Sequence, residues 1–134
     1  MKKFDQYCAN LQVLSQAPLE DLENEFILSG ILNKFSLQFE LVWKLLKELL
    51  LYEGRSEAQS GSLREILKAA FVLYDFLDED VWLTMLKDRN NINHIYDGSQ
   101  ARRLAGVVLA VYLPAFLHLR DCLAQRYAGR LDAL

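Results

Sequence analysis

The chain has 134 residues, enough for one compact domain spanning residues 1–134 and too few for two comfortable ones. Hydrophobic residues make up 52% and charged residues 25%, which excludes general disorder. A net charge of −3 puts a nonspecific nucleic-acid coat protein at a disadvantage, because such proteins are usually basic.

Two prolines and six glycines give too little turn punctuation for a sandwich or barrel. The expectation is an all-α, up-and-down bundle of about five helices, similar to a four-helix bundle. The first helix is read from Phe4 to Gln16. Pro18 and the acids Glu20 and Asp21 then open a long second helix, from Leu19 to Tyr52, with a break near Ser29-Gly30. Ile31, Phe35, Phe39, Val42, Leu46 and Leu49 recur at three- and four-residue steps and mark one apolar face. Leu41, Trp43, Leu45 and Leu50 lie off that stripe, so this helix packs on more than one side, as a core helix or one shared with a dimer interface. Residues Glu53 to Gly61 read as a loop. Ser62 with Glu65 forms a capping box that starts a third helix, ending near Tyr74. Asp78 caps a fourth, from Glu79 to about Asn93. Asp97-Gly98-Ser99 is a turn and cap before the fifth, which carries Pro114 as an internal kink and stops near Gly129. Residues 1–100 hold 10 Lys and Arg against 16 Asp and Glu, and residues 101–134 hold 5 against 2. The last helix is therefore a basic strip on an acidic body.

Chemistry concentrates in Asp88-Arg89-Asn90-Asn91-Ile92-Asn93-His94-Ile95-Tyr96-Asp97, where an amphipathic helix should be ending. Arg89 and His94 lie about 140° apart on an ideal helix. They converge only if the helix stops between them, at Asn93, or if two protomers supply them across a two-fold axis. A cation, an imidazole that titrates near neutral pH and a phenol suit phosphodiester chemistry without a metal. With RNA, the 2′-hydroxyl is the internal nucleophile. The alternative is a polar helix end, with Arg89 favoured by the dipole, His94 capping a carbonyl and Tyr96 half-buried.

The spacing of Arg89, His94 and Tyr96 resembles the Arg-X4-His-X-Tyr signature of prokaryotic HEPN proteins. Three further blocks match in order: Phe39 to Lys47, Ser62 to Phe71 and Val81 to Asn90. The resemblance covers about residues 30 to 120 and is nearest to the nucleotidyltransferase substrate-binding subgroup, which includes HepT-type toxins. Lys34 and Ser36 stand where relatives often carry an arginine and an acid. The resemblance implies a homodimeric helical bundle with the motif at its interface. It also implies a minimal nucleotidyltransferase partner, antitoxin-like in the toxin–antitoxin members. Carried over, Arg89 and His94 are catalytic in a metal-independent endoribonuclease, and Tyr96 is the residue to which the partner adds AMP. Asn90 and Asp88 are supporting residues. Arg102 and Arg103, just beyond the motif, are candidate contacts for RNA or nucleotide phosphate. The competing expectation is a non-catalytic subunit that binds nucleotide or presents substrate to its partner.

The remaining candidates are expected to be structural. His118 reads as a packing or helix-face residue, the acids at 78–80 as helix-capping, and Trp43 and Trp82 as core or interface anchors. No phosphate-cradling glycine motif occurs, so nucleotidyl transfer is not expected from this chain itself. No metal or cofactor is expected. Cys8 and Cys122 read as free thiols in a reducing cytoplasm, and the first residues carry no apolar stretch that implies a signal peptide or a membrane span.

Overall fold

The computed structural model describes residues 1–133, and every regular element among them is helical. Helix α1 runs from Lys2 to Leu14, followed by a 3-10 turn at Ala17–Leu19 that takes Pro18. Helix α2 is Glu25–Tyr52, α3 is Leu63–Leu73 and α4 is Glu79–Asn90. Helix α5, Gly98–Val107, continues through a π-helical turn at Val108–Tyr112 into α6, Leu113–Arg126.

Each start has a local cause. The Asn24 side chain accepts from the N–H groups of Phe26 and Ile27 at 2.8 and 3.4 Å. This cap starts α2 six residues later than Pro18 implies, and the helix runs unbroken through Gly30. The Ser62–Glu65 capping box is complete, and Asp78 and Asp97 cap α4 and α5. The 53–61 loop contains a short 3-10 turn, Ser56–Gln59.

Helix α2 is central, packing against α1, α3, α4 and α5. Phe35, Phe39, Val42, Leu45, Leu46, Leu49 and Leu50 are all fully buried. Each such side chain contributes about 1.5–3 kcal/mol of hydrophobic stabilisation before entropy is charged against it. Trp82 is an anchor of this core, with its ring centroid 6.4 Å from Phe39 and 5.8 Å from Phe116. Trp43 is only partly buried.

Two polar devices fix helix positions. Gln38 is fully buried, accepts from the Asn10 side-chain amide at 2.6 Å and donates to the Tyr7 carbonyl at 3.0 Å. That locks α1 onto α2. At one end of the bundle, Tyr74 and Tyr127 join their hydroxyls at 2.6 Å, and Tyr127 donates to Glu53 at 2.9 Å.

The fifth helix departs from expectation at Pro114. Proline lacks the N–H that would reach Ala110, and its ring crowds that carbonyl. The chain answers with one wide turn, in which the Leu113 N–H donates five residues back to the Val108 carbonyl. Pro114 then falls at the start of α6, where a missing donor costs little. The combined rod, Gly98–Arg126, is long and apolar enough to cross a membrane by length and composition. Its buried side chains, among them Val108, Tyr112, Phe116, Leu119 and Leu123, are part of the core.

Candidate functional site

The polar decapeptide divides into three structural pieces. Helix α4 ends at Asn90, three residues earlier than expected. The Asn91 N–H closes the end by donating to the Lys87 and Asp88 carbonyls at 3.1 and 3.2 Å. Ile92–His94 forms a 3-10 turn, and Ile95 and Tyr96 lead into the Asp97 cap of α5. Asparagine competes with helical bonding through its own side chain, so three in four positions favour this early stop.

The turn separates the site into two pairs. Arg89, half-buried in the last turn of α4, donates from Nη1 to Asn90 Oδ1 at 3.3 Å. His94 Nδ1 lies 3.4 Å from the Tyr96 hydroxyl, with the rings edge-on and centroids 6.4 Å apart. His94 is exposed, and Tyr96 is 80% exposed, not half-buried. Among the described residues, no hydrogen bond joins the Arg89 pair to the His94 pair. The Tyr96 backbone is nevertheless held: its N–H donates to Gln100 Oε1 at 3.0 Å, and the Gln100 N–H donates to the capping Asp97 at 2.8 Å.

The residues expected to support the site have definite partners. Asp88 accepts a short hydrogen bond from the Tyr112 hydroxyl. Tyr112 is fully buried and stacks on Phe35 at 5.4 Å. Burial, reinforced by the bond to Asp88, pushes its phenol well above the usual range. The last turn of α4, which carries Arg89, is thereby tied to the π turn and to α2. Sequence reasoning missed Tyr112, because the π turn that aims it breaks the 3.6-residue periodicity. Arg102 is already paired with Glu23 at 2.9 Å, an exposed pair of small energetic weight. Arg103 is exposed and in no ion pair among the described residues.

Beside Tyr96 lies a cleft of about 690 Å³ between the N-terminal half of α2 and the 92–98 connection. Its apolar floor includes Leu28, Leu32 and Ile95, and one wall carries Glu25, Ser29, Asn33 and Ser36. Those four positions step by four, four and three residues along α2, a polar ridge visible in the sequence only once the cleft is known. Arg89, Arg102 and Arg103 do not line it.

Elsewhere, His118 is exposed, with Nε2 3.5 Å from Cys122 Sγ, and Cys8 and Cys122 are both free thiols. Burial is the largest cause raising both thiols above their ordinary range, which disfavours the thiolate form. The described residues hold no cluster of three or more His, Cys, Asp or Glu side chains that could take a metal.

No curated protein matches the chain. The family described as "nucleotidyltransferase substrate binding protein like" matches residues 2–125, nearly the whole sequence and all of α1 to α5. The protein therefore belongs to the nucleotidyltransferase substrate-binding-protein-like family.

Proposed function

We propose that this chain is the substrate-binding subunit of a two-protein nucleotidyltransferase system. In this proposal it works as a homodimer in the cytoplasm, and Tyr96 accepts a nucleotidyl group from the partner. The observation that carries the proposal is the His94–Tyr96 pair: a phenol projecting into solvent, an imidazole nitrogen 3.4 Å from its oxygen, and a cleft alongside. The chemistry balances. The Tyr96 oxygen attacks the α-phosphorus of a nucleoside triphosphate bound by the partner, pyrophosphate leaves, and His94 takes the phenolic proton. Tyr112, through Asp88, and Gln100 hold the two sides of the loop in place. Co-expression with a minimal nucleotidyltransferase should raise the mass of the Tyr96 peptide by AMP units. Tyr96→Phe should abolish the shift and His94→Ala should slow it. A Tyr96→Phe chain that is still modified would refute the assignment.

A second activity, metal-independent RNA cleavage silenced by that modification, is favoured by one specific observation. Arg89, half-buried with one hydrogen bond to neutral Asn90, has no carboxylate partner among the described residues. It is free to hold a phosphate while His94 works on the 2′-hydroxyl, from the same or the opposite protomer, with Arg103 as a further phosphate contact. Purified protein with RNA and a chelator should leave cyclic phosphate ends. No cleavage, with no difference on His94→Ala, removes this activity.

A further inference from the structure

We infer that the cleft beside Tyr96 binds a small organic amine, with an apolar body and a cationic or N–H-rich end, and does not bind the phosphates of a nucleotide. The inference deepens the substrate-binding proposal and rests on it, because it names what that subunit would hold.

Three observations carry it. The cleft is large enough for a small molecule and has an apolar floor at Leu28, Leu32 and Ile95. Its polar groups are unspent: among the described residues, the side chains of Ser29, Asn33, Ser36 and Asn93 make no hydrogen bond, and Glu25 is in no ion pair. Its formal charge has one sign. Glu25 and Asp97 are the ionisable groups lining it apart from Tyr96, and Asp97 is occupied as the cap of α5. An anion there would meet a carboxylate and no cation, whereas an ammonium would gain a charge-assisted partner in Glu25.

The Glu25 carboxylate lies against Gly98, at the first turn of α5. A Cβ added at Gly98 would lie 2.8 Å from Glu25 Oε1, so a side chain at that position would displace the carboxylate. Glycine at 98 lets Glu25 reach from α2 across the mouth of the cleft to the first turn of α5, where the helix N-terminus favours a negative charge. The cations Arg89 and Arg103 stand outside the cleft, so a phosphate finds no cationic partner within it.

Tyramine tests this as an aromatic body with one ammonium, and 3-(4-hydroxyphenyl)propionate is its anionic counterpart with the same body. Amide NMR titration of the full chain should show tyramine binding with millimolar affinity, moving the signals of Ser29, Asn33 and the 93–98 loop. AMP and the propionate should leave those signals in place. Glu25→Gln should weaken tyramine by roughly ten-fold. Asn33→Trp, at an exposed helical position, should block the cleft while leaving the thermal unfolding curve cooperative. The inference is overturned by no tyramine binding, by equal binding of AMP or the propionate, or by unchanged binding in either variant. These results are independent of Tyr96 mass shifts. Loss of amine binding leaves the nucleotidylation proposal standing, and an unmodified Tyr96 with intact amine binding removes the partner proposal.

Discussion

Tyr112→Phe isolates the bond that ties the π turn to the end of α4. The ring is fully buried and stacked on Phe35, and phenylalanine preserves its shape, so almost no cavity opens. What is lost is one hydrogen bond to a carboxylate. Such bonds are worth about 1.5–3 kcal/mol, and because Asp88 is only half-buried and water can replace the donor, the lower end, about 1.5 kcal/mol, applies. Urea unfolding at neutral pH measures it directly. Asp88→Ala removes the same bond from the other side. A double-mutant cycle should then show coupling of about 1 kcal/mol or more, because the second substitution finds nothing left to break. Amide exchange at Arg89 to Asn91 should quicken in both variants, while the centre of α2 stays protected. A Tyr112→Phe change within about 0.5 kcal/mol of the parent, or additive single effects, would refute the idea that this bond holds the site-bearing turn.

Other outcomes follow from the same geometry. Ser62→Ala removes one half of the capping box and should cost about 1 kcal/mol in urea, with the loss of helicity confined to α3. Phe39→Ala opens a hole against Trp82 and should cost about 3–5 kcal/mol, read from the same titration together with Trp82 fluorescence. Alkaline pH should destabilise the fold. Tyr7, Tyr74, Tyr112 and Tyr127 are all pushed above the usual phenol range, with burial the largest cause in each. A phenol held protonated in the folded state contributes stability that is fully present below its unfolded pKa of about 10 and is lost as pH rises beyond it. The tyrosinate absorbance of these four residues should therefore appear together with unfolding; full ionisation of all six tyrosines in a chain that stays folded would contradict it.

The helical class, the α3 and α4 caps and most of the core of α2 were legible in the sequence because they depend on local chemistry: a serine three residues before a glutamate, and apolar steps of three and four. The start of α2 was misplaced because Pro18 and Asn24 both signal a helix start, and the proline's effect ends in a three-residue turn. At the site, the polar segment itself could be read from its composition and its place at a helix end. Three features could not. The cleft arises from α2 meeting a loop some sixty residues away, Tyr112 reaches Asp88 across 24 residues, and Glu23 claims Arg102 from a segment that reads only as acidic. Each is a tertiary event with no signature in local periodicity.

The wide turn at Val108–Tyr112 also makes the chain intolerant of added length at that point. The turn already holds one residue more than an α-helical turn, and each residue in an α-helix advances the face by about 100°, so inserting a further residue there rotates everything after it by that angle relative to α5. The rod has two clients: α5 meets α2 beside the cleft, and α6 meets α1. A single-codon insertion in this segment would turn Phe116, Leu119 and Leu123 out of the core while leaving the cleft wall untouched. Substitutions here are read residue by residue, but an insertion acts on the whole second half of the rod at once.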